Sequence, residues 1–266
     1  MPRAWEFRKL GVLAFTLLYL PFQSIIKILG ERESPMPVKS DTRFQEPENR
    51  DSAIWRFMEL WKFLSLLVES HLYFVSCDRL GDPFEGSFLP AEILRSGITD
   101  EVRRGITDKL RSFRPGAKVS CWYLSEWESA ALWGVYASRK EVAVQSTFNA
   151  LKESLEGANH VIRIGLIRYM DEAQEVFDGD WALDHMKAFM WKRRFYEHER
   201  ELRALILEPQ EPRGLSVPVD LHKLVRAVYL SPQLPCSFIT VVKNLLARFD
   251  LDVPVQISSL ASAPDY

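Results

Sequence analysis

Cysteine is scarce in this chain. The 266 residues hold only Cys77, Cys121 and Cys236. An odd number at such wide spacing excludes a disulfide framework and a cysteine-built zinc site. No Cys-x-x-Cys or His-x-x-x-His occurs, and His71, His160, His185, His198 and His222 stand apart, so no metal is expected. Reduced, buried thiols suit a cytoplasmic protein. An excess of one charge is lacking too. The net charge is −2 and the isoelectric point about 6.3, which gives no bulk support for a nonspecific polyanion binder and leaves only a local basic patch open. No internal repeat is present, and no low-complexity tract follows residue 51.

What is present falls into three parts. Residues 1–30 are an apolar segment. Within it Leu10–Ile26 carries no charge and follows Arg3, Arg8 and Lys9. It is near the lower limit of about 17 residues for a spanning helix, and Pro21, Gln23 and Ser24 interrupt it. No small-x-small site follows, so a cleaved signal is not expected. The readings are a membrane-associated helix over residues 10–29, an amphipathic or packing helix, or an upstream extension outside the functional domain. Spanning would place the remainder outside under the positive-inside rule, which suits unpaired thiols badly; peripheral association avoids that conflict. Residues 31–51 are polar, proline-rich and alternately charged, and are expected to be a flexible linker. Residues 52–262 form the functional domain.

In that domain Leu60, Phe63, Leu64 and Leu67 share one helical stripe. Strands are predicted over 71–77, 117–124, 141–147, 160–167, 200–207, 224–230 and 253–257. The segment 78–90 is a loop, dense in glycine, proline and aspartate. Helices are predicted over 91–113, from the Ser125-x-x-Glu128 capping box to Ala137, up to Leu155, over Trp181–Tyr196 and around 236–249. The irregular alternation implies an α+β fold, a mixed sheet flanked by helices.

Four clusters carry signal. Trp55-Arg56-Phe57 reads either as a guanidinium stacked on a ring at the domain's edge or as an anion grip. Gly81 to Gly86, GDPFEG, is either a structural turn or a ligand-facing loop presenting Asp82 or Glu85. In Ser120–Thr147 most rings suit a core, while Trp122, Tyr136 and the hydrogen-bonding run Gln145-Ser146-Thr147 lie at element ends and are the lining candidates. Lys192 to Arg203, KRRFYEHERELR, contains Lys192, Arg193 and Arg203. Continued as a strand, it would set Glu199, Glu201 and Arg203 on one face, either a solvated edge or a carboxylate held by cations at the mouth of a cleft.

Taken together, these clusters resemble a bacterial family catalogued as a domain of unknown function, number twenty-nine seventy-one. Its members carry a Trp/Tyr-Arg-Phe start, an N/G-D-P-F-E-G loop, a Ser/Asn-Cys-Trp strand, an E-S-x-x-M/L-W-x-x-Y-A helix and a K-R-x-x-F-x-x-E-x-E-x-R segment. Here these are Trp55–Phe57, Gly81–Gly86, Ser120–Trp122, Glu128–Ala137 and Lys192–Arg203. Residues 54–260 fall within the likeness, including the C-terminal VDLHKLVRAVYLSP. Many relatives have a glycine where this chain has Lys140-Glu141.

The order Arg56, Ser146-Thr147, Glu199-x-Glu201 is also similar to the Arg, Ser-Thr, Glu-x-Glu signature of mono-ADP-ribosyltransferases. That resemblance implies NAD as substrate. Arg56 would grip its phosphates and Ser146 would brace the nicotinamide side, with Trp122 or Tyr136 stacking on the ring. Glu201 would be the catalytic carboxylate, with Glu199 orienting the acceptor. Two other function classes stand beside it. One is a noncatalytic interaction or sensor module; phage defence or stress response is the expected setting. The other is a nucleic-acid effector, since WKRRFYEHER interleaves cations and aromatics, although no Asp…Glu-x-Lys strand for two-metal cleavage is present.

Overall fold

The computed structural model describes residues 38, 44–86, 99–134, 141–170, 186–208, 212 and 214–262. The apolar segment 1–30 and Tyr136 lie outside these residues. Among the described residues no helix is long and apolar enough to cross a membrane.

The fold is α+β with a mixed sheet. Its strands are β1 (Ala53–Met58), β2 (His71–Ser76), β3 (Ala117–Leu124), β4 (Val142–Thr147) and β5 (Ile162–Leu166), then β8 (Glu201–Leu207), β9 (Gly214–Pro218), β10 (Ala227–Leu230) and β11 (Val255–Ile257). They run in the order β11-β10-β4-β1-β3-β2-β9, with β8 joined to β3 and β5 to β8. β10 and β11 are parallel and the other pairs of this sheet antiparallel. Two short strands, β6 (Arg168–Met170) and β7 (Trp191–Arg193), form a separate parallel pair.

Helices cover one face. Leu60–Glu69 turns Phe63, Leu66 and Leu67 inward, an i, i+3, i+4 stripe, and each such buried side chain contributes about 1.5–3 kcal/mol relative to exposure. Phe148 and Leu151 of the helix Phe148–Ser154, and Val242 and Leu246 of Phe238–Ala247, join the same core against Ile54, Val144, Leu202, Ala204 and Ile206. Strand alternation puts the intervening residues on the other face. There two smaller cores form. One gathers Val119, Leu205, Phe189 and Trp191; the other gathers Trp55, Trp133 and Ala143.

Several expectations need correction. Trp55-Arg56-Phe57 lies in a central strand between β4 and β3, not at the domain's edge; two aromatics around one arginine are a short signal for a strand with neighbours on both sides. The part of Trp181–Tyr196 that is described is not helical, but a 3-10 turn, β7 and the start of a second 3-10 turn, Arg194–Glu199. The Ser125-x-x-Glu128 box does not form. Ser125 Oγ accepts from the Trp127 N–H instead, and the helix Ala130–Gly134 is capped by Ser129, whose Oγ accepts from the Leu132 N–H at 3.2 Å. Glu128 is drawn away by the C-terminal segment, accepting from the Ser259 N–H and hydroxyl and from the Trp133 indole. The stretch 31–51 is not free along its length. Val38 is buried and bridges to Ile162, and Phe44 packs over Gly165, where a Cβ would crowd it.

Candidate functional site

β3 is the fork of the sheet. β8 pairs with one of its edges along Ala117–Tyr123. The other edge is shared: β1 pairs at Tyr123 and Leu124, and β2 at Val119 and Lys118. Ser120, Cys121 and Trp122 are left between the two limbs, and Arg56 fills that gap. One guanidinium nitrogen donates to Ser120 Oγ and another to the Tyr73 carbonyl at 2.9 Å, while the group lies 5.7 Å from the centroid of the Trp122 ring. Trp122 Nε1 also donates to Ser120 Oγ, at 3.1 Å.

A cavity of about 550 Å³ opens at this fork, between the two smaller cores. Its β1 side is aromatic, with Trp55, Phe57 and Tyr123 on the wall beside Arg56. Trp133 meets Phe57 edge-on at 4.9 Å and holds that ring in place. The far side is ionic: Asp82, Glu85, Lys192, Glu199 and Glu201, with Tyr196 and His198 from the 3-10 turn.

The ionic side is assembled from three distant segments. On β8, Glu201 and Arg203 share a face, and Arg203 donates to both carboxylate oxygens of Glu201 at 2.6 and 3.0 Å. The same guanidinium reaches both oxygens of Glu85, at 2.9 and 3.1 Å, and the Phe189 carbonyl at 2.6 Å. Glu85 is brought there by its loop. Gly86 has φ +66° and a Cβ on it would collide with the Phe189 ring, so the backbone needs glycine there. Asp82 Oδ1 accepts from the Phe84 N–H at 2.9 Å and pairs with Arg193 at 3.0 Å, while Arg193 stacks on Phe84 at 4.0 Å. Arg114 holds the loop from below through the Pro83 and Cys77 carbonyls. Lys192, on β7, places Nζ 3.2 Å from Glu85 and 2.8 Å from Glu201, and it also bonds Glu199.

Glu199 is not on the strand. Arg200 takes a left-handed conformation, φ 38°, and this kink ends β8 and turns Glu199 back toward Lys192. The carboxyls then diverge. Burial pushes Glu199 up, and Glu201 and Glu85 push it further, to about 8. Burial also works against ionised Glu201, but Arg203 and Lys192 outweigh it and hold that carboxylate down at about 2. Lys192 is disfavoured by burial, yet Glu201 and Glu85 raise it above the ordinary lysine value. Cys121 is held protonated by burial and by the Glu201 charge. Arg56 is lowered to about 10 by burial; among the described residues no carboxylate pairs with it.

The sequence-predicted residues therefore divide. Arg56, Trp122, Asp82, Glu85, Lys192, Glu199 and Glu201 border one cavity. Arg203 lies beneath it, fully buried, and Arg193 ties the loop to the turn. The run Gln145-Ser146-Thr147 is not on its wall. Ser146 pairs with Ile54 on the helix-covered face, its Oγ buried without a hydrogen-bond partner among the described residues. Thr147 caps the helix that follows, accepting from the Ala150 N–H at 3.1 Å, and Gln145 lies on β4 opposite Trp55. The serine beside Arg56 is Ser120, from β3. Ser120, Tyr123, Tyr196 and His198 escaped the sequence reading; only the Ser-Cys-Trp spacing hinted at the first.

No family model and no curated protein matches this chain. Among solved structures it is similar to DarT of Thermus sp. 2.9 in complex with NAD+, at 10% identity and a TM-score of 0.38, over 82% of this chain and 100% of that one. At that level neither fold nor activity transfers to this chain.

Proposed function

We propose that the chain is an ADP-ribosyltransferase-like enzyme that uses NAD as substrate. The observation that carries this reading is the meeting of Arg56 with Glu199 and Glu201 at one cavity. Its volume falls within the range of about 300–1,000 Å³ typical of ligand sites. Arg56 has no described carboxylate partner. Beyond its bonds to Ser120 and the Tyr73 carbonyl it keeps N–H groups for a phosphate, and the aromatic wall suits a planar ring. In the proposed reaction the bond from the ribose anomeric carbon to nicotinamide breaks, and its electron pair leaves with nicotinamide. Glu201, ionised across the neutral range, stabilises the positive charge left on the ribose. An acceptor N–H or O–H then bonds to that carbon and gives its proton to Glu199 in its ionised form, the carboxyl being raised to about 8. We also propose, on the motifs alone, kinship with the bacterial family of unknown function.

A second reading, a noncatalytic binding module, is favoured by the contacts of Glu201, whose two oxygens are already taken by Arg203 and Lys192. The experiment that separates them is nicotinamide release from labelled NAD by the pure chain, with and without cell lysate. Release that is lost in Glu201→Gln and in Arg56→Gln, both folded by circular dichroism, supports the enzyme. Binding of NAD without release supports the module, and no binding at all overturns the NAD reading.

A further inference from the structure

Three carboxyls face Lys192 from three directions: Glu85 from the loop, Glu199 from the 3-10 turn and Glu201 from β8. Arg203 bonds both Glu85 and Glu201 through paired hydrogen bonds, one positive charge set against two carboxylates. The next acid outward, Asp82, has its own cation in Arg193 at 3.0 Å. Cys121 on β3 is held protonated, and the Tyr169 phenol on β6, raised by burial, accepts from the Glu201 N–H at 2.7 Å; Tyr196 and His198 of the 3-10 turn also border the cavity. Glu85, Glu199 and Glu201 thus share two cations, Lys192 and Arg203. Glu199 is the acid without one of its own, and it is the most open of the three, 8% exposed against 2% and 3%. On the β1 side of the same cavity the imbalance is reversed, because Arg56 is a cation that no described carboxylate matches.

We infer that the cavity selects a ligand with two opposite charges, an anionic group on Arg56 and a cationic group on Glu199. The inference rests on the NAD reading above and makes it more specific. The oxidised and reduced dinucleotides carry the same diphosphate and differ at the nicotinamide ring, which is cationic in NAD+ and neutral in NADH. Arg56 cannot tell them apart; Glu199 can. The cation takes the place of the proton beside Glu199, so binding NAD+ releases a proton and binding NADH does not. Glu199 is then the specificity-determining residue. The reduced form is a poor competitor, and the bound state already carries Glu199 as the carboxylate that a base must be.

The test is calorimetric titration of the full chain near neutral pH with NAD+, NADH and ADP-ribose, in two buffers of different ionisation enthalpy. Expected are an affinity for NAD+ about tenfold or more above that for NADH and release of about one proton with NAD+ alone. Glu199→Gln should bind both dinucleotides equally and release none, whereas Glu199→Asp should keep the preference. Equal affinity of the wild type for NAD+ and NADH overturns the inference while leaving the dinucleotide reading intact. So does a preference that survives in Glu199→Gln. If none of the three ligands binds, both fall together.

Discussion

Glu201 and Arg203, two residues apart on β8, point to the same side of the sheet and close a two-pronged ion pair at 2.6 and 3.0 Å. Both are buried, at 3% and 0% exposure. Arg203 also binds both oxygens of Glu85 from the GDPFEG loop. One guanidinium therefore fixes the cavity's acidic wall and ties the loop to the sheet.

Removing Arg203 alone would leave two buried carboxylates facing Lys192. Arg203→Met should lower stability by about 3–5 kcal/mol, as expected for breaking a buried ion pair from one side. Adding Glu85→Gln and Glu201→Gln should recover part of that loss, because no uncompensated charge then remains. Urea midpoints of the single and triple variants check this; a triple variant no more stable than the single one would contradict it.

The two neighbouring glutamates should tilt the pH profile in opposite directions. Glu201 is depressed from 4.5 to about 2, so its contribution is present above 4.5 and is lost as pH falls toward about 2. Glu199 is raised from 4.5 to about 8, so its contribution is present below 4.5 and is lost as pH rises through about 8. Denaturation series from about pH 5 to about pH 9 should show a decline that Glu199→Gln flattens. Glu201→Gln should shrink that decline without abolishing it, because the Glu201 charge helps to raise Glu199 while burial remains.

The two glycines of the GDPFEG loop should behave differently. Gly86 has φ +66° and faces the Phe189 ring, whereas a Cβ on Gly81 would meet nothing within 4 Å. Gly86→Ala should cost about 1–3 kcal/mol and weaken ligand binding by displacing Glu85 and the Phe189 carbonyl that Arg203 uses. Gly81→Ala should change stability by no more than about 0.5 kcal/mol. Melting curves of the two variants decide it.

Two serines offer a sharper comparison. Ser120 Oγ takes hydrogen bonds from Arg56 and from the Trp122 indole; Ser146 Oγ takes none from the described residues. Ser120→Ala should weaken NAD binding by about tenfold, in line with the loss of a hydrogen bond to a charged group. Ser146→Ala should leave binding unchanged and stability equal or slightly higher, since it removes a buried hydroxyl without a partner. The reverse pattern in titrations would return the bracing role to Ser146.

Much of the frame was legible. The predicted strand 117–124 coincides with β3, and 141–147 and 200–207 each overrun β4 and β8 by one residue, because runs of β-branched and apolar residues bounded by polar turns leave few other solutions. Alternation alone also puts Glu201 and Arg203 on one face. The strand pattern could not show that β8 ends at Glu201. Arg200 is a common residue in a rare conformation, and nothing local in Glu199-Arg200-Glu201 announces a left-handed turn. Nor could spacing choose between serines: Ser146 follows Arg56 in the expected order, but the ladder registers it with Ile54 on the β4 side, whereas Arg56 reaches the other way, to Ser120 of β3.

The sequence alone determined the alternation of strands and helices, the glycine that lets the loop reach inward, and the supply of cations and carboxylates. These follow from local sterics and from side-chain chemistry, which travel with each residue. Tertiary structure decided that β1 and β2 share one edge of β3, so that Arg56 fills the gap between them and Ser120 becomes its neighbour. It also decided that Glu85, Lys192 and Arg203 meet, leaving Glu199 as the acid in excess. Such facts depend on pairing across long loops and on burial, and both are properties of the folded whole.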